Sequence, residues 1–269
     1  MLAESAIHTG TGRSAGVIDL PIAREAATDY PFIPGSSTKG ALRDRARRGW
    51  PDHNWDPIFG LREQAGQLLV ADARLLLLPV RCLTGTYRWV TCPQILERYR
   101  RDLQRSGLAC DLPRVAPTAG EADRAATVYA RGRDRLYLEE RELSIAGECP
   151  AAILDAIRPR IRHQETAARL ADQLAIVSND DMAWFCRYAI PVQARNVLDC
   201  NTKTSKNLWY EESLPADTVL YTLLLARDTA TRDAVARLFP DDDPYLQLGG
   251  NETVGHGWFA VQLAQGGRP

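Results

Sequence analysis

Residues 2–8 read as a first strand, followed by a Gly/Thr/Ser-rich run at 9–16 that cannot be regular structure. Residues 17–25, with Asp19 and Pro21, read as a loop. Pro31 and Pro34 lead into a helix expected to begin near Ser36 or Ser37, either a good N-cap, and to run to about Gly49. Leu42, Ala46 and Trp50 would seat that helix on a core. Lys39, Arg43 and Arg47 recur every four residues on a neighbouring stripe. A long β-type run covers 67–82, with four consecutive leucines at 75–78, and 93–106 reads as a helix with Pro in its first turn.

Short strands are expected at 127–130, 135–139 and 142–146, then a helix over 150–176 broken near Pro159 and a shorter one at 180–187. Two β-type arms, ending at Leu198 and resuming after Asn207, flank the polar stretch 199–207, which predicts a projecting hairpin. A strand at 217–226, a helix at 229–239, and strands at 245–248 and 258–263 around a Gly-rich turn complete the pattern. This order predicts an α+β fold in one domain over 1–269, with long insertions on a split βαβ, ferredoxin-like core.

Composition narrows the function classes. The 269 residues are 45% apolar and 25% charged, ordinary for a globular protein. The longest apolar run, 75–80, is too short to cross a bilayer, and the N-terminus lacks a secretion signature. A cytoplasmic protein with no membrane partner is expected. The six cysteines show no zinc-ligand spacing and read as reduced thiols. A net charge of −1 excludes a surface that coats nucleic acid everywhere, yet 39–48 and 98–105 are locally basic. Each run is either an electrostatic footprint or a solvated helix face. Lysine occurs only at Lys39, Lys203 and Lys206.

Three segments could carry chemistry. In 34–48, Gly35, the hydroxyls of Ser36, Ser37 and Thr38, and free amides at a helix start favour a phosphate. A Walker loop is excluded because Gly40 follows Lys39. In 248–258, Gly249, Gly250, Gly255 and Gly257 surround His256, so backbone could lie against a ligand or simply turn tightly. The third is acidic: Asp19, flanked by His8 and Arg24, and the pair Glu211 and Glu212. Carboxylates beside a phosphodiester can hold a divalent cation or take a 2′-hydroxyl proton, whereas ordinary loop carboxylates are merely solvated. His53 and His163 read as structural or exposed.

Together, the stretches 16–25, 31–43, 208–215 and 249–257 resemble the RAMP superfamily, and within it the backbone subunits of type III-B CRISPR Cmr effector complexes. The stretch 84–180 carries no part of the resemblance and reads as a variable insertion. The resemblance implies a modified ferredoxin-like, RNA-recognition-motif-like core with a thumb hairpin near 195–209. Copies would stack as a filament on a CRISPR guide RNA, beside other complex subunits. They would cleave the paired target RNA at each kink, with magnesium or manganese at Asp19. His8, Arg24 and the Glu211/Glu212 pair match supporting positions, and which glutamate faces the scissile phosphate stays open. Guide or target contacts are implied at Ser36, Ser37, Lys39, Arg43, Arg47, Lys203, Lys206, Gly249, Gly250, Gly255 and His256. The competing readings are a purely structural guide-binding subunit and a guide-processing ribonuclease.

Overall fold

Alternating and continuous apolar runs assemble into a mixed 11-stranded sheet in the computed structural model, which describes residues 1–12, 16–108, 110–121 and 125–266. Parts of the expected irregular run 9–16 and of the insertion 84–180 fall outside these described residues. The first strands are β1 (Leu2–Ala3), β2 (Phe32–Ile33), β3 (Ala73–Arg81) and β4 (Tyr87–Thr91). Next come β5 (Ala126–Ala130), β6 (Arg135–Leu138), β7 (Arg141–Gly147) and β8 (Leu174–Ile176). A separate two-stranded hairpin, β9 (Val192–Leu198) and β10 (Ser205–Glu212), precedes β11 (Val219–Tyr221), β12 (Tyr245–Gln247) and β13 (Trp258–Ala260). The spatial order is β12-β13-β1-β11-β3-β4-β8-β5-β7-β6, with β2 also on β3. The β4–β8 and β5–β7 pairs are parallel and the others antiparallel.

β3 is buried along almost its whole length, which explains why its leucines run without alternation. Helix α1 (Gly35–Gly49) lies on a second core with Leu42 and Ala46, alongside Trp55, Phe59, Leu68, Leu238 and Leu246. Helix α2 (Pro93–Arg105) packs against β3 through Ile95, Leu96, Tyr99 and Leu103. Helix α3 (Asn179–Tyr188) is capped by Ser178, whose hydroxyl accepts from the Asp181 N–H at 3.0 Å, and it delivers the chain to the hairpin.

Several sequence expectations shift for physical reasons. α1 begins at Gly35, not at the serines. Its first amide donates to Asp72 Oδ1 at 2.7 Å, a cap supplied from across the chain that frees Ser36 and Ser37 from capping. Glycine is needed at 35 because a Cβ would lie 2.5 Å from the Val70 carbonyl oxygen. The run 67–82 splits, since Leu68–Val70 leaves the main sheet to pair with Leu224–Ala226; the expected strand 217–226 divides for the same reason. The expected helix over 150–176 is three short helices and a 3-10 turn, ending in β8. β8 is fully buried between β4 and β5, so Leu-Ala-Ile is a central strand and not the tail of a helix. In the first segment only Leu2–Ala3 joins a ladder, while Ile7 and His8 bridge singly to Leu214 and Gly250. All six cysteines are free thiols.

Candidate functional site

The last residues of β10 gather all five acidic-site candidates. Consecutive strand residues point to opposite faces, so Glu211 and Glu212 enter different environments. Glu212 is 2% exposed; its Oε2 accepts the Ile22 amide at 3.1 Å, and its Oε1 pairs closely with Arg24 Nη2. Arg24 also donates to the carbonyls of Asp29 (2.9 Å) and Cys186 (2.7 Å). Glu212 and Arg24 are therefore a satisfied, buried strut that ties the loop 17–25 to the hairpin and to α3.

Glu211 faces the Gly-rich turn. Its Oε1 accepts from Asn251 Nδ2, and its Oε2 lies 3.6 Å from Arg195 Nε. His8 Nδ1 lies 4.0 Å from Glu211 Oε1 but 2.7 Å from the Glu212 carbonyl oxygen. A carbonyl only accepts, so Nδ1 carries the hydrogen and Nε2 presents a lone pair in the neutral ring. Asp19 is exposed; its Oδ2 accepts the Tyr210 amide at 2.8 Å, and Leu20 bridges in parallel to Glu211. The result is an exposed carboxylate held rigidly at the foot of the hairpin, with buried supports beneath it.

Beside this foot runs a groove of about 530 Å³ between α1 and the Gly-rich turn. Ser37, Gly40, Ala41, Asp44 and Arg48 form one wall, and Gln247 to Gly250 with Glu252 form the other. His8, Thr9 and Gly10 close the end nearest the acidic residues. Two segments 200 residues apart in sequence thus meet around one concave surface. The turn is shaped by Gly249 at φ 110° and by Gly255 and Asn251 in left-handed conformations. At Gly249 a Cβ would sit 2.7 Å from the His8 carbonyl oxygen.

The expected basic stripe of α1 is engaged elsewhere. Arg43 donates to the Phe59 and Gly60 carbonyls at 3.0 and 3.1 Å, with its guanidinium over the Phe59 ring. Arg47 pairs with Asp56 at 3.1 Å. Lys39 is half-buried, and its ammonium pKa is lowered by that burial and by the neighbouring Arg43. Ser36 is exposed. At the hairpin tip, Lys206 pairs with Asp199 at 2.8 Å, and Lys203 adopts a left-handed conformation at φ 58°. His256 Nε2 lies 3.5 Å from Arg195 Nη2. Arg195 and Asn251 were not singled out from sequence. The only hints are that Arg195 sits in a β-type arm and that Asn251 tolerates the left-handed turn. Among the described residues no group of three or more His, Cys, Asp or Glu is placed to hold a metal.

The comparisons agree with this architecture. The RAMP superfamily profile matches residues 2–260, and the chain belongs to that superfamily. It is 34% identical over 277 residues to the CRISPR system Cmr endoribonuclease Cmr4 of Pyrococcus furiosus, covering 96% of this chain and 92% of that one. The crystal structure of oligomeric Cmr4 from Pyrococcus furiosus superposes with a TM-score of 0.73 at 27% identity, covering 98% and 96% of the two chains. A chain of the type III-B Cmr-β complex bound to cognate target RNA superposes with a TM-score of 0.76 at 20% identity, over 97% and 94%. That last likeness shows the shared α+β fold with its large mixed sheet. No helix among the described residues is long and apolar enough to cross a membrane.

Proposed function

We propose that this chain is a repeating backbone subunit of a type III-B CRISPR effector complex that binds a guide RNA and cleaves the paired target RNA at regular intervals. The observation that carries the reading is Asp19, an exposed carboxylate fixed by the Tyr210 amide at the foot of the hairpin. The 34% identity to a Cmr endoribonuclease over nearly the full length supports it. In this reading the chain is one RAMP domain with a ferredoxin-like core, and β9–β10 is the thumb. The groove between α1 and the Gly-rich turn seats the guide. Oligomeric Cmr4 supports stacking of copies along it.

The chain's own residues divide the work. The hairpin would part the guide–target duplex and free a target nucleotide from A-form stacking, so that its 2′-hydroxyl can align with the adjacent phosphate. Asp19 would face that phosphate, while the Arg24–Glu212 strut holds its loop and Glu211 holds the Gly-rich turn through Asn251 and Arg195. The donor set offers one exposed carboxylate, which does not build a cage but fits a hydrated cation that shares phosphate oxygens. Magnesium or manganese held there would neutralise charge developing at the phosphate. Specificity would come from guide pairing.

Purification of the chain with its complex tests the reading. RNA of discrete lengths should accompany it, and complementary RNA should be cut at a fixed spacing. A monomer that cuts precursor hairpins by sequence would overturn it.

A further inference from the structure

The groove is not a basic surface. Its walls carry two carboxylates, Asp44 and Glu252, against one guanidinium, Arg48, which Asp44 already pairs. The remaining polar side chains are the hydroxyls of Thr9 and Ser37, which donate or accept, the imidazole of His8 and the amide of Gln247. Gln247 Nε2 donates to the carbonyls of Glu252 (3.2 Å) and His256 (3.0 Å), so its Oε1 is left to accept.

His8 adds an acceptor that is built in. Its side chain is only 10% exposed, and its Nδ1–H is committed to the Glu212 carbonyl. Its Nε2 edge is bounded by glycines of the groove lining. A Cβ at Gly10 would lie 2.7 Å from His8 Nε2, and one at Gly250 would lie 3.2 Å from His8 Cδ2. The absent side chains are what leave a buried imidazole facing the groove. A surface of carboxylates, an amide oxygen and an imidazole lone pair complements neutral hydrogen-bond donors.

We propose that the groove reads ribose 2′-hydroxyls of the strand it holds and so selects RNA over DNA, with His8, Asp44, Gln247 and Glu252 as acceptors. This rests on the reading of the groove as a nucleic-acid seat. The phosphates then lie outside it, on the side of α1 that carries Lys39. Selection comes from hydroxyl donation itself, because the 2′-hydroxyl is the donor that DNA lacks.

The test uses the full chain and one single-stranded sequence with three sugars: 2′-hydroxyl, 2′-fluoro and 2′-deoxy. Fluorine keeps the RNA-like sugar pucker but cannot donate. RNA should bind at least about tenfold more tightly than either other strand, equivalent to about 1.4 kcal/mol. Asp44→Ala and Glu252→Gln, both at exposed positions, should each shrink that ratio without changing the melting temperature. A 2′-fluoro strand that binds as tightly as RNA would overturn the proposal, as would a ratio that survives both substitutions. A change of oligomeric state with the ratio intact would make the groove a protein interface and overturn it equally. Equal binding of all three strands would refute the hydroxyl reading alone. Binding of none would refute the nucleic-acid seat and the proposal with it.

Discussion

Replacing Arg24 with alanine should cost stability first and activity only as a consequence. The guanidinium is 17% exposed and its partner carboxylate 3%, so little solvent screens the pair. Removing one partner leaves a buried charge uncompensated, at a cost of about 3–5 kcal/mol. That is a large share of the roughly 5–15 kcal/mol that holds a typical domain folded. For a chain of this size each kcal/mol lowers the melting temperature by about 2–4 °C, so a fall of about 6–20 °C is expected. Glu212→Ala should behave alike, and the double variant should lose less than the sum because neither charge is then stranded. Urea and thermal unfolding of the four proteins measure this. If Arg24→Ala stayed within about 0.5 kcal/mol of the parent while cleavage vanished, the strut assignment would be wrong and Arg24 would belong to the chemistry.

Other outcomes follow from the same geometry. Lys39→Ala should flatten the salt dependence of RNA binding by about one unit, as expected for one lost phosphate contact. Arg43→Ala should change that slope less and lower stability instead, because its guanidinium is spent on the Phe59 and Gly60 carbonyls; an equal loss of slope would contradict this. Burial raises the Asp217 carboxyl above its ordinary value. A raised carboxylate binds more protons folded than unfolded, so its share of stability is present in acid and lost as pH rises through that range. Asp217→Asn, at a left-handed φ of 66° that asparagine tolerates, should therefore raise the urea midpoint at pH 7 and lose that advantage in acid. Lys206, with the Thr202 and Asn201 amides, holds the Asp199 carboxyl well below the usual carboxylate range. The tip contact should persist as pH falls through that range, and Asp199→Ala should speed amide exchange at 200–204 at neutral pH. Unchanged exchange would mean the tip is held by its backbone alone.

Much of this was legible in the sequence where local pattern and burial agree. The α1 and α2 helices and the β9–β10 hairpin follow from periodicity and turn residues, because each carries one apolar face or a clear polar tip. β8 did not, since Leu-Ala-Ile at the end of a helical pattern is decided by the strands on either side of it. The start of α1 was misplaced because its cap comes from Asp72, far along the chain. At the site, residue types marked Asp19 and the Glu211/Glu212 pair as separate acidic candidates, and the family resemblance joined them with His8 and Arg24. Their different surroundings were not legible: alternation sends the two glutamates to opposite faces, but only the fold supplies Arg24 on one side and Asn251 with Arg195 on the other. The basic stripe on α1 reads as a footprint in sequence, yet tertiary carbonyls and Asp56 absorb two of its three cations.

The central claim rests on Asp19, the exposed one of the three carboxylates Asp19, Glu211 and Glu212. Asp19→Ala should lower stability by no more than about 0.5–1.5 kcal/mol, the worth of its one exposed hydrogen bond from the Tyr210 amide. The decisive measurement is target-RNA cleavage by a complex assembled with that variant, alongside guide and target affinity. The account predicts unchanged binding and no cut products. Cleavage persisting at the same spacing would contradict it and leave the chain a guide-binding scaffold.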